Sequence, residues 1–309
     1  MLLVRALWLT TLLTAAVAQP KVSRTASSNL RVESDLVLIN VLVTDSHGKI
    51  VPDLDHSRFH LFEEGQEQVI KYCSSTDVPI SIGLVLDASG SMGEKLSVLK
   101  KAAIEFVRAA NPLDEYFLLE FRDRPEVVVP FMSDTDQLMK AVDSMKAGGS
   151  TAFLDAIYLA LQEVRTGRNA RRAVVVVSDG MDNHSRYSER ETKRLALEAD
   201  SPLYAINLWE PQRSGNRYAI QRRDPGLLEQ ISAPTGGRTF AVRDSKKLLA
   251  AAELISSEIR SEYILGYVPS NRRRDGKFRH VSVRVDPSAG GRSKGLKVSS
   301  RSGYYSPVE

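Results

Sequence analysis

The sequence predicts an α/β protein: a doubly wound, mostly parallel sheet with one antiparallel edge strand, flanked by β-rich segments at both ends. Three observations predict it. Across residues 77–260, apolar strand-like runs alternate with segments of helical period, the pattern of a sheet covered by helices on both faces. Two runs, "ISIGLVLD" and "RRAVVVVSD", are apolar almost throughout, as parallel strands buried on both faces are. Residues 30–76 and 261–309 lack a helical period and alternate like strands.

The chain opens on "MLLVRALWLTTLLTAAVAQP", with Arg5, an apolar stretch and then Ala16-Val17-Ala18. Small residues there suit cleavage after Ala18. Residues 1–18 are therefore expected to be a signal peptide and residues 19–29 a flexible leader. The protein is expected to be exported, to the periplasm or beyond the cell. A membrane anchor is the other reading, but the apolar run is shorter than the ~20 residues that span a bilayer. No later stretch is apolar enough to cross, so no transmembrane span is expected after cleavage.

Residues 30–76 should form the first part of a β-rich module. "LRVESDLVLINVLVTDSHGKIVPDL" has two β-rich runs around Ser46-His47-Gly48, a hairpin signal. "FHLFEEGQEQVIKYC" adds two short strands around Glu64-Gly65. Cys73 is the only cysteine, so no internal disulfide can form; a buried thiol is expected, with an intermolecular disulfide as the alternative.

"ISIGLVLD" starts the α/β series. "KLSVLKKAAIEFVRAA" then places Leu96, Leu99, Ala103, Phe106 and Val107 on one helical face and stops at Asn111-Pro112. "EYFLLEF" is the next strand, and "EVVVPF" follows too closely for a crossover helix, so it should be antiparallel. "TDQLMKAVDSM" and "TAFLDAIYLALQEVR" are helices, and "RRAVVVVSD" is a central strand. Helix "RYSERETKRLALEA", strand "PLYAINLW", short helix "PGLLEQIS", strand "GRTFAV" and helix "SKKLLAAAELISSEI" complete the series. The last helix should turn Leu248, Leu249, Ala252, Ile255 and Ile259 inward.

Residues 261–309 form the second β-rich part: "EYILGYVPS", "FRHVSVRVD" and "LKVSSRSGYYS". The economical arrangement pairs the two flanks into one β-sandwich, which hides edges that each flank alone would leave open. Tyr263, Tyr267, Tyr304 and Tyr305 then belong to its core or edge. The arginines at 272–274 are expected at a solvated hairpin tip, with an acidic surface or anionic lipid as the alternative partner.

Composition narrows the function. A formal charge of +4 on 309 residues does not argue for a nucleic-acid partner. The five histidines show no zinc spacing. Neither a phosphate-binding P-loop nor a GxSxG elbow is present.

In an open α/β sheet, ligands bind beyond the carboxyl ends of the strands, near the point where strand order reverses. Three segments deliver polar residues there. The first strand ends at Asp87, followed by Ser89 and Ser91; "AGGSTAFLD" presents Ser150 and Thr151; "VVVVSDGMDN" presents Asp179. These are carboxylate and hydroxyl oxygens only, which select a hard divalent cation, Mg²⁺ first, with Mn²⁺ or Ca²⁺ able to substitute. Asp87 brings charge, and Ser89 and Ser91 fill coordination sites without adding any. Thr151 is the next ligand, and Asp179 acts partly through a bound water. The bland alternative for Asp87, Ser89 and Ser91 is a helix N-cap region. Asp182 and Asn183 shape either a turn or the binding rim, and His184 is a surface residue. Two carboxylates leave a divalent ion under-neutralised, so it keeps waters that a partner's Asp or Glu carboxylate can displace.

"DASGSMG", "GGSTAFLDA" and "VVVVSDGMDN" resemble, in order, the DxSxS, threonine and aspartate elements of the metal-ion-dependent adhesion site of von Willebrand factor type A (VWFA) domains. The resemblance covers about residues 79–260 and implies the family's Rossmann-like fold with an antiparallel edge strand. The flanks resemble those of exported bacterial VWFA-related proteins, with a β-rich lead-in and a "GYVPS…DGKFRHVSVRV…GYYSP" tail. "GGST" departs from the common "GGT", so Ser150 offers a competing hydroxyl. The expected function is metal-dependent binding of a protein ligand, with no enzymatic activity. The alternatives are a structural subunit whose metal only rigidifies loops and a Mg²⁺-dependent phosphohydrolase. "LVLDAS" is similar to a phosphoaspartyl strand end, but Ser89 stands where those enzymes carry a second aspartate.

Overall fold

A computed structural model describes residues 36–75, 77–109, 111–208, 225–242, 245–286 and 295–308. The expected signal peptide and leader lie outside the described residues. Strands β1 (Val37–Thr44), β2 (Phe59–Glu63), β3 (Gln66–Gln68) and β4 (Ile70–Ser74) come first. The α/β series follows as β5 (Ile80–Asp87), α1 (Leu96–Arg108), β6 (Glu115–Phe121), β7 (Pro125–Met132), α2 (Thr135–Ser144), α3 (Phe153–Glu163) and β8 (Arg171–Ser178). It continues through α4 (Glu189–Glu198), β9 (Leu203–Asn207), α5 (Pro225–Ser232), β10 (Thr239–Ala241) and α6 (Ser245–Arg260). Strands β11 (Tyr263–Tyr267), β12 (Phe278–Val285), β13 (Lys297–Ser300) and β14 (Gly303–Tyr305) close the chain.

The central sheet has the order β10-β9-β8-β5-β6-β7. Every pairing is parallel except β6–β7, as the short spacing before "EVVVPF" predicts. Every residue of β5 is buried, because helices cover both faces. On one face, Ile80, Ile82, Leu84 and Leu86 share a core with Leu99 and Phe106 of α1 and Ile255 and Ile259 of α6. On the other, Val85 packs with Phe153 and Ile157 of α3 and with Leu195 of α4. Gly83 is required here: a Cβ would stand 2.3 Å from the Phe117 ring.

The flanking strands form two four-stranded antiparallel sheets, β13-β1-β11-β4 and β14-β12-β2-β3. Each sheet mixes strands from before and after the α/β series. Inward residues of both sheets, among them Ile39, Val41, Leu61, Tyr263, Leu265, Tyr267 and Val283, make one core. The Tyr263 hydroxyl donates to Val51 O at 2.8 Å and accepts the Leu54 N–H at 2.9 Å. Cys73 is a half-buried free thiol whose strand pairs with β11.

Three expectations are corrected. The second run after Ser46-His47-Gly48 is not a strand; only the single bridge Thr44–Ile50 forms, and Pro52 and the positive φ of Asp53 (58°) then end the extended backbone. "QEQVIKYC" is two strands, because the chain changes sheets at exposed Val69: β3 pairs with β2 and β4 with β11. The arginines at 272–274 lie on no hairpin, since β11 and β12 belong to different sheets.

Candidate functional site at the carboxyl ends of β5 and β8

The chain leaves β5 for β6 on one side and later places β8 on the other, so strand order reverses between β5 and β8. Asp87, the last residue of β5, is fully buried. Its Oδ1 accepts the Ser89 N–H at 2.9 Å, and its Oδ2 accepts the Ser178 hydroxyl at 2.6 Å. Because Ser178 ends β8, the carboxylate ties the two strand ends together. Burial pushes Asp87 up to about 6, against the hydrogen bonds from Ser178 and Ser89, which pull it down. Buried Ser89 and exposed Ser91 flank Gly90 in a one-turn 3₁₀ segment, with their Oγ atoms 3.2 Å apart.

The loop before α3 closes over this turn. Gly148 donates to Ala88 O at 2.9 Å, and Gly90 donates to Gly149 O at 3.1 Å. Gly149 has φ +77°, and a Cβ there would stand 2.5 Å from Asp123 Oδ2. Asp123 Oδ1 accepts the Ser150 N–H at 2.8 Å. The hydrogen bond from the Ser150 backbone holds the Asp123 carboxyl below the usual range, against an upward push from burial, with a lesser contribution from the Ser150 hydroxyl.

Thr151 is buried and stitched to the loop after β8. Its N–H donates to Asn183 Oδ1 at 2.9 Å, while its carbonyl accepts the N–H groups of Asn183 and His184 at 3.0 and 3.1 Å. Asp182 Oδ1 accepts the Phe153 N–H at 3.1 Å and the Ser185 hydroxyl at 2.6 Å. Asp182 and Asn183 thus pin one loop to another, and His184 is exposed.

Asp179 follows Ser178 directly and is 5% exposed. Its Oδ1 accepts the Met181 N–H at 3.3 Å. Its Oδ2 is buried and accepts no hydrogen bond among the described residues; Lys95 Nζ stands 3.9 Å away. A buried carboxylate oxygen left this way is costly unless something else completes it. The donor types suit a hard cation: hydroxyls on Ser89, Ser91 and Thr151, carboxylates on Asp87 and Asp179. Among the described residues, no group of three or more His, Cys, Asp or Glu side chains is placed to hold a metal, so any site here depends on its hydroxyls.

The structure brings Asp87, Ser89 and Ser91 into one hydrogen-bonded turn, with Thr151 and Asp179 on the two loops joined to it. Sequence reasoning passed over Ser178, Asp123 and Lys95. Ser178 had a signal, a hydroxyl residue ending an apolar strand beside Asp179. Lys95 had one too, a cation just ahead of a helix.

The open, doubly wound sheet thus carries a cluster of carboxylate and hydroxyl oxygens at its switch point. Residues 82–181 match the model of the von Willebrand factor type A domain. The chain is similar to an uncharacterized protein of Borreliella burgdorferi, 27% identical over 184 residues, which are 53% of this chain and 54% of that one. It is also similar to an uncharacterized protein of Synechocystis, 30% identical over 111 residues, 35% of this chain and 26% of that one. The chain therefore matches about half the length of the first relative and a quarter of the second. Among solved structures, proximal thread matrix protein 1 from the mussel byssus, with a zinc-occupied MIDAS motif, superposes with TM-score 0.50 at 18% identity, covering 63% of this chain and 48% of that one. At that identity the likeness shows the fold. Among the described residues, no helix is long and apolar enough to cross a membrane.

Proposed function

We propose that the chain is an exported binding protein whose VWFA domain captures a protein ligand through a divalent cation. The observation that carries this reading is the buried Asp179 Oδ2, which lacks a hydrogen bond beside strand ends already joined through Asp87 and Ser178. Ser89, Ser91 and Thr151 would hold the ion by their hydroxyls. Both Asp87 oxygens already accept protein hydrogen bonds, so Asp87 mainly fixes the serine turn and contributes charge. Asp179 would complete the set, partly through water. The Ser150 backbone is tied to Asp123, which favours Thr151 as the ligand. A bound Mg²⁺, Mn²⁺ or Ca²⁺ would supply an electrophilic centre for a partner's Asp or Glu carboxylate. The mussel protein's occupied motif supports the metal part of the reading by analogy of fold.

The reading assigns residues 1–18 to a signal peptide, 19–29 to a leader, 77–260 to the VWFA domain and 30–76 with 261–309 to one β-rich module. That module would set the orientation of the binding face.

Water-proton relaxation with Mn²⁺ tests the proposal. Metal-stripped protein should bind one Mn²⁺, and adding glutamate should lower the relaxivity as its carboxylate displaces a metal-bound water. Binding of Mn²⁺ with relaxivity unchanged by glutamate would favour a metal that only rigidifies the loops. No Mn²⁺ binding would refute the metal site.

A further inference from the structure

Lys95 occupies a position that helix physics disfavours. It is the N-cap of α1, its side chain caps nothing, and its backbone is already helical (φ −90°, ψ −18°). Ser, Thr, Asp or Asn is preferred at an N-cap, and a cation at a helix N-terminus opposes the macrodipole. The side chain instead folds toward the carboxyl ends of the strands. Its ammonium donates to Leu208 O, just past β9, at 3.1 Å, and stands 3.9 Å from Asp179 Oδ2. Only 21% of the Lys95 side chain and 4% of the Asp179 side chain are exposed. Among the described residues, no other Lys, Arg or His nitrogen lies within ion-pair distance of Asp87 or Asp179.

We propose that Lys95 is the built-in counter-cation of the metal-free site: its ammonium compensates Asp179 until a divalent ion enters, and so competes with that ion. This inference rests on the metal-site reading above. The electrostatics set its direction. A unit positive charge near Asp179 stabilises the empty site and repels an incoming dication, so it weakens metal binding. The Leu208 carbonyl gives the ammonium an anchor on the far side, and the remaining exposure gives it a route to swing outward when the ion arrives. The residue therefore sets the metal concentration at which the binding face becomes competent.

The test is a calorimetric titration of Mg²⁺ into the metal-stripped protein, comparing wild type, Lys95→Met and Lys95→Arg, with metal-free melting curves of each. Lys95→Met should bind Mg²⁺ about tenfold more tightly than wild type, the scale of one nearby charge in partly solvated protein. It should melt lower than wild type without metal and recover when Mg²⁺ is added. Lys95→Arg, which keeps the charge, should bind weakly, like wild type. Equal or weaker binding by Lys95→Met, with wild type binding normally, overturns the counter-cation role and leaves the metal site standing. No binding by any form overturns both. If Lys95→Met does not fold even with Mg²⁺, Lys95→Gln keeps a donor for Leu208 O without the charge and reads the same titration.

Discussion

Buried acids gather around both ends of strand β8, and the fold treats them oppositely. At the amino end, each buried acid faces a guanidinium. Glu262 meets Arg171 at 3.7 Å and the Tyr204 hydroxyl at 2.9 Å. Glu115 meets Arg168 at 3.2 Å, Asp114 meets Arg260, and Glu258 lies 2.7 Å from Arg238. At the carboxyl end, among the described residues, neither Asp87 nor Asp179 has an arginine within ion-pair distance. Asp87 is held by hydroxyl and amide groups, and Asp179 has one lysine at 3.9 Å. Arginine is the side chain for permanent, multidentate pairing. Its presence at one end makes that end a clamp, joining the α/β sheet to the start of β11. Its absence at the other leaves Asp87 and Asp179 without a permanent guanidinium partner, the charge that the proposed dication would balance.

The largest expected effect comes from breaking the clamp. Above pH 7, where Glu262 is ionised in the folded chain, Arg171→Met should lower unfolding stability in urea by about 3–5 kcal/mol, because it strands the buried carboxylate, and should leave Mg²⁺ affinity unchanged. The converse change at the carboxyl end is Ser89→Ala. It should weaken Mg²⁺ binding by about a hundredfold or more, at or beyond the 10–100-fold that outer-shell partners cost, with little change in metal-free stability. Calorimetry and urea melts read both variants.

A pH series sharpens the comparison. Burial pushes Glu262 up to about 7 from the ordinary glutamate value of 4.5, with Arg171 pulling it down. Between those values the unfolded chain ionises while the folded chain keeps the proton. Wild type should therefore lose stability relative to Glu262→Gln as pH rises from about 4.5 to 7, and the difference should level off above that. An effect of about 3 kcal/mol is expected; a difference independent of pH would show that Glu262 does not stay protonated in the folded state. The smallest effect belongs to neither end. Ser188 caps α4 in a capping box with Glu191, and Ser188→Ala should cost about 1 kcal/mol without moving Mg²⁺ affinity.

The α/β series was legible because burial on both faces writes an unbroken apolar run, as in "ISIGLVLD", and because the spacing before "EVVVPF" leaves no room for a crossover. The flanks were legible as strands but not in detail. β1 pairs with β11 and β2 with β12 across the whole α/β series, and alternation specifies a face, not a partner. The change of sheet at Val69 left no mark, because one exposed valine in a β-prone stretch reads as more strand. At the site, the strand-end and loop positions of Asp87, Ser89, Ser91, Thr151 and Asp179 were legible in the sequence. The contacts that hold them were not. Ser178 to Asp87, Asn183 to Thr151 and Asp123 to Ser150 each join loops distant in sequence. Lys95 was overlooked because its role depends on where Asp179 and Leu208 lie in space, which a helix-period reading does not encode.

The most direct test is to locate the ion. A crystal of the protein soaked in Mn²⁺ and measured for anomalous scattering should show a peak within coordination distance of the Ser89 and Ser91 hydroxyls, between the ends of β5 and β8. Full-occupancy Mn²⁺ elsewhere on the chain with none at this cluster, or a cluster still occupied by the Lys95 ammonium at saturating Mn²⁺, would contradict the account.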